Sequence, residues 1–198
     1  MKQLVIATHN PDKAREISAL LVDQGVEVLT LDAYPQVGHI VEDAETLEGN
    51  ALLKAQAVAR ATGLPSLGDD TGLEVGYLNG DPGVYSSRYS GEHATYADNV
   101  AKLTREMKGV PERRRAARFR CVLAFVAPGR DPVTVEGICR GTILEKPRGN
   151  GGFGYDPLFL PLGYRQTLAE MEMSVKNTLS HRGRAMQNML PHLKEYYK

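Results

Sequence analysis

The chain has no excess of charge: 24 Lys and Arg stand against 24 Asp and Glu in 198 residues. Bulk electrostatics therefore announces neither a nucleic-acid nor a membrane partner. Cysteine is scarce. Cys121 and Cys139 lie in strand-like apolar stretches, far from any metal-ligand spacing, and read as small core residues in a reduced compartment. No apolar run reaches membrane-spanning length, and the first residues already read as a strand rather than a signal peptide. The expectation is a soluble, cytoplasmic protein with no membrane contact. Low-complexity tracts are missing, and so is a GxxxxGK[ST] string, which excludes a P-loop kinase or ATPase. Gly149-Asn150-Gly151-Gly152-Phe153-Gly154 does match GxGxxG, but Tyr155-Asp156-Pro157 breaks the chain where a dinucleotide-binding helix would open. That excludes a Rossmann reading. A length of 198 residues suits one large domain or two lobes and is ample for a core.

The informative material begins with Thr8-His9-Asn10-Pro11-Asp12-Lys13. Residues 2 to 7 before it have strand length and apolarity, and residues 14 to 22 after it have helical periodicity. Asn10 or Thr8 can cap the helix, Pro11 suits its first turn, and Asp12 favours its positive end. A strand running into a capped helix presents unpaired N–H groups, so the loop is an anion site in embryo, with Lys13 adding a point charge.

Gly25 then precedes a short strand over 26 to 30. Residues 32 to 45 read as a loop with clustered carboxylates, among them Glu42. Thr46 caps a predicted helix over 47 to 61, on which Asn50 and Lys54, four residues apart, share one face. The stretch Ser66-Leu67-Gly68-Asp69-Asp70-Thr71-Gly72-Leu73-Glu74-Val75 brings two adjacent carboxylates. In extended backbone they face opposite ways, so they cannot share one task unless the chain turns, and Gly72 suggests a turn. With Glu42 they offer hard oxygen ligands of the kind Mg²⁺ takes beside a phosphate; the same residues also suit a plain polar turn.

Gly80-Asp81-Pro82-Gly83 marks a turn, and 95 to 108 a helix. The basic run Arg113-Arg114-Arg115, Arg118 and Arg120 leads into an alternating pattern, which favours an exposed start to a strand over a nucleic-acid patch. Residues 119 to 127 and 132 to 144, separated by Pro128-Gly129, read as a hairpin. The glycine-rich loop before Phe153-Gly154-Tyr155-Asp156 lets backbone approach a ligand beside aromatic faces. A short strand at 158 to 160 and helices over 167 to 178 and 180 to 197 complete the chain, the last capped by Ser180. His181 and Arg182 then fall in a first helical turn, against the dipole, which makes sense where an acceptor sits nearby.

Four stretches together resemble the inosine/xanthosine triphosphate pyrophosphatases: Thr8 to Lys13, Gly68-Asp69-Asp70-Thr71-Gly72-Leu73, Gly152-Phe153-Gly154-Tyr155-Asp156-Pro157 and Ser180-His181-Arg182-Gly183-Arg184-Ala185. They come in that family's order and spacing, from Met1 to about Tyr196. The resemblance implies an α/β fold with a long twisted mixed sheet flanked by helices, one domain over 1 to 198 with two lobes and a cleft, and a homodimer. It implies Mg²⁺-dependent hydrolysis of ITP, dITP and XTP to the monophosphate and pyrophosphate, with no nucleic-acid partner. By the same resemblance Thr8, His9, Asn10, Pro11, Asp12 and Lys13 cradle the triphosphate and Lys54 faces the phosphates. Asp70 is the general base and, with Glu42, holds the metal. Thr71, Phe153, Gly154, Tyr155, Asp156, Lys176, His181 and Arg182 bind base and sugar. Two departures stand out. The helix bearing Lys54 opens Thr46-Leu47-Glu48-Gly49-Asn50, where the family's Glu has moved or been lost, so Glu48 carries no assigned role; and His9 replaces a small residue in the phosphate loop.

Base choice is then a hydrogen-bond problem. Hypoxanthine and xanthine carry a keto oxygen where adenine carries an amino group. Donors from His181 and Arg182 suit the oxygen, and a buried mismatch discriminates by roughly 10⁴-fold. Two rivals remain: a Maf-type pyrophosphatase acting on pyrimidine or modified nucleotides, and a non-enzymatic nucleotide- or RNA-binding protein using the arginine run.

Overall fold

The computed structural model describes residues 2–198. The elements are β1 (Gln3–Ala7), α1 (Pro11–Leu21), β2 (Glu27–Leu29), α2 (Leu47–Thr62), β3 (Ser66–Val75), β4 (Pro82–Gly83), α3 (Tyr96–Glu106), β5 (Ala116–Val126), β6 (Val133–Ile143), β7 (Phe159–Pro161), α4 (Met173–Leu179) and α5 (His181–Tyr196), with short 3₁₀ turns between them. The seven strands form one mixed sheet, hydrogen-bonded in the order β2-β1-β3-β5-β6-β7 with β4 on β3. Among the described residues no helix is long and apolar enough to cross a membrane.

The described chain packs as two compact units: residues 2–70, 121–137 and 182–198, and residues 71–120 and 138–181. In the first, β1 pairs in parallel with β2 and with β3, Val5 lying opposite Ser66. Parallel strands are buried on both faces, which explains the unbroken apolar run that ends at Ala7. Leu4 and Ile6 pack with Ile17 and Leu21 of α1, Cys121, Leu123 and Phe125 of β5, and Met186 and Met189 of α5. Val5 and Ala7 face the other way, onto Leu31 and Val58 of α2. In the second unit, Leu73 and Val75 of β3 join Leu103 and Met107 of α3, Phe119, Ile143, Phe159 and Leu179 in a separate core.

Two features differ from expectation. The turn at Gly72 is not there: β3 runs straight through, because Ser66 to Gly68 pair with β1, Leu73 and Glu74 pair with β4, and Gly72 is buried within the ladder. The helix expected over 167 to 178 is two pieces, a 3₁₀ turn at Leu168–Glu170 and then α4, with Met171 and Glu172 extended between them. Glu170 closes a capping box on Thr167, spending that turn locally.

Four of the five arginines of the run are engaged within the second unit. Arg115 is buried and donates to the carbonyls of Ile143, Met107, Val110 and Leu144 at 2.6 to 3.2 Å. Arg118 and Arg120 share Glu74 at 2.6 and 2.8 Å, and Arg114 lies over the Tyr77 ring.

Candidate active site

In the first unit the site is built on β3, where consecutive carboxylates point to opposite faces, as pleating requires. Asp69, fully buried, takes the Arg182 Nε at 2.8 Å and Nη2 at 3.2 Å, and the Lys13 Nζ at 2.7 Å. Cys121 Sγ donates to Asp69 Oδ2 at 3.2 Å. Glu16, on α1, accepts Arg182 Nη1 at 2.6 Å, so two carboxylates hold one fully buried guanidinium. Burial would raise the Asp69 pKa, but Arg182 and Lys13 hold it well below the usual carboxylate range. Burial likewise opposes the Lys13 ammonium, and Asp69 and Asp70 outweigh it, raising its pKa.

Asp70 turns to α2. Its Oδ1 accepts from Lys54 Nζ at 2.8 Å, and the same ammonium donates to Glu42 Oε2 at 2.7 Å. Asn50, one helical turn before Lys54, reaches Asp70 Oδ2 at 3.4 Å through Nδ2. Burial pushes the Asp70 carboxyl up, past the opposing pull of Lys54 and Lys13, while Glu42 adds to the rise. Glu42 is half-buried; that burial would raise it too, but Lys54 and Lys13 bring it below its ordinary value. The approach of α2 to β3 depends on Gly68, where a Cβ would stand 2.1 Å from the Ala51 carbonyl oxygen.

The loop before α1 carries the expected cap. Asn10 caps the helix, and its Oδ1 accepts from the N–H of Asp12 at 3.0 Å and of Lys13 at 3.2 Å. Asn10 N donates in turn to Thr8 Oγ1 at 3.1 Å. These first-turn amides are therefore spoken for by the cap, and the loop's offer to an anion is chiefly the charge of Lys13. Asp12 pairs with Arg15 at the surface. His9 is exposed, its Nε2 2.7 Å from the Gly38 carbonyl oxygen. Thr46 caps α2 through Gly49 N at 3.0 Å, and Glu48 Oε1 accepts the Thr134 hydroxyl at 2.9 Å.

In the second unit, the glycine-rich loop folds back on Asp156. Phe153 N donates to Asp156 Oδ2 at 2.9 Å, and Lys176 Nζ makes a short ion pair with the same oxygen. Lys176 is buried and lies 4.8 Å from the Phe153 ring centroid. Gly152 has φ +65°, and a Cβ there would meet Asp156 Oδ2 at 2.2 Å, so only glycine fits. Phe153 keeps a partly open ring with Tyr96 5.8 Å away. Gly154 follows at φ +60°. Tyr155 is buried and donates its hydroxyl to the Ser86 carbonyl at 2.8 Å. His181 stacks on Phe119, centroids 4.5 Å apart and planes within 17°. Thr71 continues β3 directly after Asp70.

Sequence reasoning missed Glu16, Cys121 and Tyr96. Glu16 could have been found: it lies three residues beyond Lys13 on one face of α1, an acid that a buried cation would seek. Cys121 and Tyr96 carried no such signal.

A family model described as Ham1 family matches residues 4–192. A dITP/XTP pyrophosphatase of Geobacter sulfurreducens is 48% identical over 193 residues, 98% of this chain and 97% of that one. One of Geobacillus kaustophilus is 47% identical over 189 residues, covering 96% and 93%. The solved structure of a HAM1 protein from Coxiella burnetii superposes with a TM-score of 0.87 at 37% identity, over 98% of this chain and all of that one.

Proposed function

The chain belongs to the Ham1 family, and from that premise we propose that it hydrolyses ITP, dITP and XTP to the monophosphate and pyrophosphate. The observation that carries the chemical part is the Lys54 ammonium set between Glu42 and Asp70 at 2.7 and 2.8 Å. Two carboxylates from different segments already converge on one cation, which is the donor set a divalent metal asks for. Mg²⁺ in particular takes one or two protein carboxylates and fills its other positions with water and phosphate oxygens. Glu42 and Asp70 would hold the ion, which when bound neutralises charge on the phosphates.

The residues' own work follows from their charges. Water attacks the α-phosphorus, the bond to the bridging oxygen breaks, and pyrophosphate leaves. Asp70 takes the water's proton. Lys13 and Lys54 face the negative charge without joining it covalently. Asp69 anchors Lys13 and Arg182, so it fixes the positions of groups beside the chemistry.

For the base we propose Thr71, Phe153 to Asp156, Lys176, His181 and Arg182, with the Phe153 ring as the stacking face and His181 and Arg182 as donors toward the 6-keto oxygen. Held by Asp69 and Glu16, the Arg182 guanidinium is a fixed donor rather than a swinging one. The homodimer belongs to the same reading and is checked by light scattering on the purified chain. The pyrimidine-directed rival is not favoured, because the curated relatives carry dITP and XTP in their names.

The test is product analysis with Mg²⁺ and a panel of ITP, XTP, dITP, GTP, ATP and dTTP, scoring pyrophosphate against phosphate. Pyrophosphate from the 6-keto deaminated purines, with little from ATP or GTP, is the expected outcome. Pyrophosphate mainly from dTTP, or phosphate as the first product, would overturn the reading.

A further inference from the structure

Residues 38–44 form neither helix nor strand, yet both ends of the segment are fixed. At its start, His9 Nε2 lies 2.7 Å from the Gly38 carbonyl oxygen. A carbonyl only accepts, so this nitrogen carries a proton and donates. At its end, Ala44 N donates to Asn50 Oδ1 at 3.0 Å. Between the two ties sits Glu42, 2.7 Å from Lys54 Nζ, with Asp70 on the same ammonium at 2.8 Å. Asn50 touches Asp70 as well as the segment, so the rear tie is part of the carboxylate arrangement itself.

We propose that His9 is a positioning residue: its bond to Gly38 straps segment 38–44 to the loop before α1, delivers Glu42 to the face that carries Asp70, and so sets the affinity for the divalent cation these carboxylates share. The inference rests on the reading of Glu42 and Asp70 as the metal pair. A segment tied at one end explores more conformations, and ordering it on binding costs free energy that a second tie has already met. An exposed hydrogen bond has a modest net worth, and its loss weakens metal binding by about two- to fivefold.

The experiment uses the full chain without nucleotide and Mn²⁺ as the probe ion, with free Mn²⁺ read by electron paramagnetic resonance. Backbone hydrogen exchange at residues 38–44 is followed in parallel in the metal-free protein. Three variants separate the strap from any other use of a polar side chain. His9→Ala removes the donor. His9→Gln places an amide nitrogen at the reach of Nε2, whereas in His9→Asn it stops at the reach of Nδ1. The expected result is weaker Mn²⁺ binding and faster exchange at 38–44 in His9→Ala and His9→Asn, with both restored in His9→Gln. Parental binding and exchange in His9→Ala, or equal behaviour of the Asn and Gln variants, overturns the inference. Asp70→Asn is measured beside them. If it binds Mn²⁺ like the parent, the metal assignment fails and takes the inference with it; if it weakens binding while His9→Ala does not, the strap alone is wrong.

Discussion

Asp69 and Asp70 are consecutive in β3 and their carboxyl groups are driven in opposite directions. Arg182 and Lys13 hold Asp69 well below the carboxylate range, while burial lifts Asp70 despite the Lys54 ammonium beside it. The backbone pleat is the cause, since it sends one side chain toward α1 and α5 and the next toward α2. A pair of like groups with environments that push them apart is how one site separates an anchor from a base.

Asp70→Asn should therefore remove catalysis and largely spare nucleotide binding. The amide is close in size, keeps an oxygen for Lys54 at the Oδ1 position, and cannot accept the water's proton. Loss of a general base costs about 10²- to 10⁴-fold in kcat. Pyrophosphate release gives kcat, and calorimetry with ITP gives affinity. Full turnover in this variant would sink the assigned role.

Asp69→Asn should act on stability first. It removes the Asp69 charge from the buried Arg182, whose ion pair with Glu16 stays, and from Lys13, which keeps the backbone carbonyl of residue 69. Breaking a buried ion pair on one side costs roughly 3–5 kcal/mol, read from urea denaturation. The pH dependence has a definite sign. A carboxyl with a depressed folded pKa contributes stability above its unfolded value, near about 3.9, and loses it as pH falls through the folded value. The variant's deficit should be largest near neutrality and shrink only below about pH 4. A deficit that is constant from neutral to strongly acid solution would show that the charge of Asp69 is not what matters.

Much of this was legible in the sequence because the signals were local. Asn10 and Thr46 as caps, Lys54 one turn past Asn50, and the opposed faces of Asp69 and Asp70 all follow from helix and strand periods. What failed depended on partners far away in the chain. Gly72 read as a turn, since a glycine after two aspartates carries no mark of the β1 and β4 ladders that keep it extended. The first-turn amides of α1 are a local exception: Asn10, itself expected as a cap, occupies those of Asp12 and Lys13. Glu48 carried no role in the sequence, and its partner Thr134 lies 86 positions away.

Lys176 offers a test of the purine side. It is buried on Asp156, whose Oδ2 also holds the Phe153 amide, so the ammonium keeps the ring's loop in shape. Lys176→Met should destabilise the fold by roughly 3–5 kcal/mol through the stranded carboxylate. It should also raise KM for ITP. Adding Asp156→Asn neutralises the stranded charge and should recover much of the stability while leaving KM high. Recovery of KM in the double variant would mean that Lys176 acts only through the fold.

Gly68→Ala tests whether the carboxylate–lysine geometry is imposed by helix packing. The new methyl would stand 2.1 Å from the Ala51 carbonyl oxygen and 3.1 Å from Ala55 N, and both are backbone atoms of α2 that cannot rotate aside. The helix must back away from β3, carrying Lys54 and Asn50 from Asp70 as it goes. Overpacking of this kind costs about 1–3 kcal/mol. Catalysis should suffer more than stability, because a displacement on the order of 1 Å at the reacting groups is worth about 10²-fold. A drop in kcat of that size with the melting temperature only a few degrees lower is the expected outcome. Parental kcat would show that the Asp70–Lys54 contact tolerates a shifted helix, and the role given to Lys54 would then have to be withdrawn.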